Sequence, residues 1–157
     1  MKKIFLSLIA STFAFAQGIC GYYILEKDDK GSQTIAEVFE KDGKYYAYGF
    51  ANSNGETSYD VNNPDEKLKN RPLRGVVFMW GLVQDGDEYD DGKIYNNANG
   101  KTYSASAKLD GDTLKVKATV WGFGKTLTWK RMSEEQVAPY LEKKPSMDEV
   151  IATIPTK

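Results

Sequence analysis

Between Ile19 and Met132 apolar and polar residues alternate with a period of two, and clusters of turn-forming residues cut that alternation into eight segments. A period of two marks half-buried strands, whose successive side chains point to opposite faces. The pattern is clearest in the sixth segment, where Tyr103, Ala105, Ala107 and Leu109 alternate with Thr102, Ser104, Ser106 and Lys108. In the seventh, Leu114, Val116, Ala118 and Val120 share one face, and Lys115, Lys117 and Thr119 the other. In the eighth, Leu127, Trp129 and Arg131 take the inner parity, which puts a charge on the inner side of the last rung. The fourth, Val76 to Val83, is apolar on both faces and needs a cover on its outer side. Together these segments predict an all-β fold, an eight-stranded up-and-down antiparallel barrel.

The joins between segments are of two kinds. Joins two, four and six are short and acidic, centred on Asp42-Gly43, Asp85-Gly86-Asp87 and Asp110-Gly111-Asp112, the steps that suit tight hairpins with positive φ. Joins one, three, five and seven read as longer: Lys27 to Gln33, Asn52 to Arg74, Asn96 to Gly100 and Trp121 to Lys125. Odd and even joins of an up-and-down barrel lie at opposite ends, so the expected shape is a cup with one pinched end. Eight strands enclose just enough room to be filled by large side chains or to hold one small ligand. The inward alanines Ala105, Ala107 and Ala118, on adjacent strands, favour a void; Tyr23, Phe78 or Trp80 reaching across would fill it.

Past Met132, Ser133-Glu134-Glu135-Gln136 and Ser146-Met147-Asp148-Glu149 fit the capping box. Each opens a short helix with an apolar stripe, Val137, Tyr140, Leu141 and then Met147, Val150, Ile151, Ile154, and this extension supplies the cover for the barrel wall. At the other terminus, Lys2 and Lys3 precede the apolar run Ile4 to Phe15, and Ala14-Phe15-Ala16 forms a cleavage signal. That is a Sec-type signal peptide, cut after Ala16. At about 12 residues the run is too short for a membrane span, which needs about 20. The expected organisation is 1–16 signal peptide, 17–132 barrel and 133–157 helical extension, in a periplasmic or secreted protein.

Composition removes several classes of chemistry. There is no histidine, so the commonest metal ligand and the commonest general base are both missing. A single cysteine, Cys20, forbids an internal disulfide and reads as a small buried apolar residue. Without the leader's two lysines the formal charge moves from −1 to about −3, the wrong sign for nucleic acid. Thirteen per cent aromatic residues, ten of them tyrosine, fits a strand-rich chain. The acidic stretch Asp85 to Gly92 fails as a calcium loop, because with Asp87 first Tyr89 falls on the third ligand place and Ala98 on the closing one. It reads as a solvated hairpin. Gly122-Phe123-Gly124-Lys125 is likewise a turn, with Trp121 and Phe123 as a contact surface or lid at the open end. The 52–74 join is long enough to carry function, and its basic residues Lys67, Lys69, Arg71 and Arg74 suit an anionic head group at the mouth.

Within DVNNPDEKLKNRPLRGVVFMWGL, then Ile94-Tyr95, Asn99-Gly100-Lys101-Thr102-Tyr103-Ser104-Ala105, Leu114-Lys115-Val116 and Trp129-Lys130-Arg131, the chain resembles the bacterial domain of unknown function family 2147. The resemblance implies an exported, lipocalin-like barrel with no established chemistry. Lipocalins open strand one with Gly-x-Trp and stack an arginine from the last strand on that tryptophan. Here Gly21-Tyr22-Tyr23 and Arg131 stand in those places, so the resemblance implies a barrel floor of Tyr23 and Arg131, with tyrosine in place of tryptophan.

The functional expectation is a non-catalytic binding protein, with no cofactor and no metal, holding a small apolar or amphipathic, fatty acid-like molecule. Its expected wall is Tyr103, Ala105, Ala107, Val116, Ala118 and Val120 with Trp80 and Trp129, joined at the mouth by Trp121, Phe123 and Arg71. Two other classes stay open: a protein-interaction module that uses the 52–74 join around a filled barrel, and a histidine-free enzyme. The last would need an inward acid, and strands six to eight supply none.

Overall fold

The computed structural model describes residues 18–156. The expected signal peptide lies outside the described residues. Eight strands, β1 (Gly21–Lys27), β2 (Gln33–Lys41), β3 (Lys44–Asn52), β4 (Val77–Asp85), β5 (Glu88–Asn96), β6 (Lys101–Asp110), β7 (Thr113–Val120) and β8 (Phe123–Arg131), pair antiparallel in chain order and close into a barrel. Closure is the thinnest part of the ladder. β1 meets β8 only at Tyr23↔Arg131 and Ile24↔Lys130, and further up the Glu26 carboxylate accepts the Thr128 N–H at 2.8 Å in place of a backbone carbonyl.

The three acidic turns sit at one end, as the alternation requires. At the other, join seven departs from expectation: β7 and β8 are joined by Trp121-Gly122 alone. The backbone there, φ 54° and 80°, repeats the Asp42-Gly43 turn, φ 53° and 77°. Two successive positive φ values are what a two-residue hairpin demands, so the pairing continues to Val120↔Phe123 and no loop is left over.

β4 breaks strict alternation. Between its pairs with β3, Tyr45↔Leu82, Ala47↔Met79 and Tyr48↔Val77, it twice carries one residue too many, with Gly81 at φ 76° in one of the bulges. Each bulge resets which face the following side chains take. Phe78, Met79 and Leu82 pack inward, whereas Val77 and Trp80 join the outer cluster. Trp80 is therefore not on the inner wall where strict period two puts it.

The outer cluster gathers Tyr46, Tyr48 and Phe50 of β3 and Val77 under the C-terminal segment, α1 (Glu134–Val137), a 3-10 stretch (Ala138–Lys143) and α2 (Met147–Ile151), whose Val137 and Val150 are buried. Ser133 and Gln136 make both bonds of a capping box, and Ser146 accepts from the Glu149 N–H. A polar pin adds to the apolar contact. Lys144 Nζ lies 2.8 Å from Glu37 and 3.0 Å from the Tyr22 hydroxyl, and Tyr48 donates to the same Glu37 carboxylate at 3.0 Å. Burial first, and then the Glu37 charge, push the Tyr48 phenol well above its ordinary range.

Candidate functional site

The barrel interior is divided by Trp129. Below it, Tyr23, Val38, Ala47, Met79, Leu82, Tyr89, Leu114 and Val116 form one packed cluster, with Ala105 and Ala107 buried inside it. Tyr89 meets Tyr45 edge-on at 4.8 Å between ring centroids, and Trp129 leans on Tyr23 at 6.4 Å and on Phe78 at 5.6 Å. The small size of Ala105 and Ala107 thus makes room for these large neighbours, not for a void.

The closed end is stoppered from below. Gly18 to Cys20 cross beneath the barrel, and Ile19 is fully buried in the packed cluster. Arg131 holds this segment, its Nη1 donating to the Cys20 carbonyl at 2.8 Å and Nη2 to that of Gly18 at 2.7 Å. Its guanidinium carbon stands 5.1 Å from the centre of the Tyr23 ring, and the Tyr23 hydroxyl donates to the Ile19 carbonyl at 2.7 Å. Because Ile19 takes the inward place, Cys20 is exposed rather than buried as composition suggested. Its thiol is nevertheless held above its usual pKa by partial desolvation and then Glu40, which disfavours a reactive thiolate.

Above Trp129 the interior opens. A cleft of about 930 Å³ has Leu25, Phe78, Ile94, Tyr103, Ala118 and Leu127 on its walls and reaches the odd-numbered joins. Its rim mixes Val120 and Phe123 with Lys27, Asp28, Asp29, Arg74 and Lys125. Of the residues expected on the ligand wall, Tyr103, Ala118, Val120, Phe123 and Trp129 border this cleft. Ala105, Ala107 and Val116 lie below it in the packed half, and Trp80 is outside the barrel. Trp121 borders a separate shallow groove on the outer surface with Lys93, Thr102, Ser104 and Thr119.

The long third join is built as a brace. Asp60, fully buried, receives Arg71 Nε and Nη2 at 2.9 Å, Asn63 Nδ2 at 2.8 Å and the Tyr95 hydroxyl at 2.7 Å. A buried carboxylate survives only with such donors. Burial and then Asp60 raise the Tyr95 phenol to about 12. Asn62 binds the carbonyls of Asn97 and Ala98, and Gly100 passes so close that a Cβ would lie 2.0 Å from the Asn62 carbonyl oxygen. Of the basic residues expected at the mouth, Arg71 is consumed by Asp60, Lys69 pairs with Glu66 at 2.7 Å, and Arg74 donates to the Lys143 carbonyl. The head-group reading of Arg71 is corrected accordingly: its charge is spent inside the loop.

Sequence reasoning missed Leu25, Ile94 and Lys125. Leu25 and Lys125 were within reach, since they follow Tyr23 and precede Leu127 by the period of two. Phe78, expected only as a filler of the barrel, lines the cleft instead.

An eight-stranded up-and-down barrel with a floor arginine over an aromatic ring and an apolar cleft at the far end is lipocalin-like in class. Residues 21–131 match the bacterial family described as "Uncharacterized protein conserved in bacteria (DUF2147)", and the chain belongs to that family. It is similar over 89% of its length, at 35% identity and a TM-score of 0.80, to the whole of a solved chain described as "Protein HP1028 from the human pathogen Helicobacter pylori belongs to the lipocalin family". A looser likeness, 13% identity and TM-score 0.41 over 73% of this chain and 96% of the other, is to "As-p18, an extracellular fatty acid binding protein". No curated protein matches.

Proposed function

We propose that this protein is an exported, non-catalytic carrier that holds one apolar or amphipathic small molecule above Trp129. The observation that supports this most is the cleft itself, apolar at its base and polar at its rim, on a barrel otherwise packed to its floor. A cavity of several hundred cubic ångströms walled by hydrocarbon and aromatic groups with polar groups at one side suits a monoacyl chain better than a polar metabolite. Tyr103, Ala118, Val120, Phe123 and Trp129 are the proposed contacts, with Leu25, Phe78, Ile94 and Leu127. Lys125 sits on the same inward row as Leu127 and Trp129, at the rim, with no carboxylate within 4.0 Å among the described residues. It is the natural partner for an anionic head group such as a carboxylate. The filled-barrel alternative loses ground because the upper half is not filled.

Titration with a fluorescent fatty-acid analogue, followed by native mass spectrometry of protein purified from its own host, tests the proposal. Saturable uptake at one site, displaced by unlabelled fatty acid, is expected. Absence of both probe uptake and any bound small molecule rejects it. Export is tested separately: intact mass of the envelope protein should start at Gln17.

A further inference from the structure

The same hairpin backbone carries aspartate at the closed end and tryptophan at the open end. Asp42 is an ordinary occupant of a left-handed turn position, whereas a bulky aromatic there is a strained outlier. Nothing within the fold offsets that strain, for Trp121 is 93% exposed. Its neighbours in the pairing are apolar too, with Phe123 81% and Val120 44% exposed. The result is a projecting apolar tip beside the mouth of the cleft.

The charges around this tip differ from those lower on the same wall. Toward the closed end, Lys115 pairs with Asp110 at 3.2 Å and Lys108 faces Asp87 at 3.5 Å. Near the tip, Lys93, on the cross-strand row Lys93, Ser104, Thr119 and Gly124, and Lys117, two pairs below on the same face, have no carboxylate within 4.0 Å among the described residues. The acids of the rim, Glu26, Asp28, Asp29 and Glu56, lie on β1 and on the β1–β2 and β3–β4 joins, away from these lysines. An exposed tryptophan and phenylalanine backed by unpaired lysines match the interface of an anionic bilayer, where the rings enter the acyl boundary and the cations meet the head groups.

We propose that the β7–β8 tip docks the protein on anionic lipid membranes, with the β5–β7 wall turned toward the surface. Docking stands on the tip and the lysines alone. That it brings the cleft's mouth to the source of its cargo rests on the carrier reading above.

Flotation with vesicles of phosphatidylcholine, with and without about 30 mol% phosphatidylglycerol, tests it. Wild-type protein should bind the anionic vesicles, more weakly as salt rises, and brominated acyl chains should quench its tryptophan emission. Trp121→Asn suits the left-handed turn, so it should melt no lower than wild type yet lose vesicle binding about tenfold and lose the quenching. Lys93→Glu with Lys117→Glu should weaken binding to anionic vesicles only. Fatty-acid probe uptake, measured without vesicles on the same variants, should be unchanged, since neither Trp121 nor these lysines border the cleft. Vesicle binding with neither probe uptake nor any bound small molecule would leave docking standing and end the carrier reading. No vesicle binding, or equal binding by Trp121→Asn, overturns docking, as does a dimer that depends on Trp121 and excludes lipid.

Discussion

Below Trp129 the barrel is filled by Tyr23, Met79, Leu82, Tyr89, Leu114 and Val116 and stoppered by Ile19; above it the same strands end in Ile94, Tyr103, Ala118 and Leu127 around open space. Strand number and tilt are common to both halves, so the geometry of the barrel does not decide which half is hollow. Side-chain supply does. The lower half receives three tyrosines, Tyr23, Tyr45 and Tyr89, converging from β1, β3 and β5, together with a plug from outside the sheet. The upper half has Phe78 and Tyr103 on its walls and no such plug. Stability is therefore expected to reside in the lower half and binding in the upper, and substitutions of the same type should have different consequences in each.

Two leucines give the widest separation. Leu114 is fully buried in the packed half, and Leu127 stands half-buried on the cleft wall. Leu114→Ala should cost about 2 to 5 kcal/mol in urea unfolding, because its cavity cannot collapse. Leu127→Ala borders space that is already open and should cost about 1 kcal/mol while loosening probe binding. Equal costs would mean that the two halves are not packed differently.

Arg131 sharpens the comparison at the floor. It joins the Tyr23 ring to the carbonyls of Gly18 and Cys20, so Arg131→Ala should cost about 1 to 3 kcal/mol, more than an exposed ion pair is worth. Probe affinity should be unaffected, as Trp129 lies between. Burial, ahead of the opposing Arg131 charge, raises the Tyr23 phenol to about 12. A raised folded pKa means that Tyr23 favours the fold fully below about pH 10 and that this contribution is lost as pH climbs through 12. Absorbance at alkaline pH, followed alongside unfolding, should show the late-titrating phenol and the loss of stability together.

The alanines separate the halves by kind of effect. Ala107→Trp overpacks a closed core and should cost about 1 to 3 kcal/mol with no direct contact to a ligand. Ala118→Phe points into the cleft and should leave the melting temperature near wild type while abolishing probe uptake. If Ala118→Phe destabilises as much as Ala107→Trp, the cleft is closed in solution.

Period two in the last three strands was enough to assign the inner row from Tyr103 to Arg131, and the Asp-Gly steps were enough to place the closed end. What stayed hidden was depth. Alternation states which face a residue takes, and it does not state whether the space opposite is already occupied. Ala107 and Ala118 look identical by that criterion, and only the packing separates them: Ala107, cross-strand from Tyr89, is buried in the lower cluster, whereas Ala118 borders the cleft. β4 failed for a different reason: its two bulges move Trp80 outward and Met79 inward, and an apolar run offers no polar residue to reveal the slip. Arg71 was misjudged because its partner, Asp60, lies eleven residues away within an irregular segment where no periodicity applies.

The smallest effect expected is at Lys125, and it bears on the chemistry of the ligand. The rim holds acids as well as bases, so a fatty acid's carboxylate would meet Asp28 and Asp29 unless a cation is placed nearer the axis of the cleft. Lys125 is the rim cation on the inward row of β8, directly above Leu127 and Trp129. Its ammonium is solvated before a ligand arrives, so its pairing with a head group is worth about 1 kcal/mol and fades with salt. Lys125→Ala should weaken a long-chain fatty acid by about threefold to tenfold at low ionic strength, and Lys125→Glu by more, with thermal stability unchanged. The corresponding alcohol, which has the same chain and no charge, should bind wild type and both variants alike. Calorimetric titration of acid and alcohol at two salt concentrations makes the measurement. If acid and alcohol lose affinity equally on Lys125→Ala, the lysine stem serves as wall and the head group points elsewhere. If only the acid does, the upper half of the barrel is a carrier site with a chemical direction, tail toward Trp129 and anion toward Lys125.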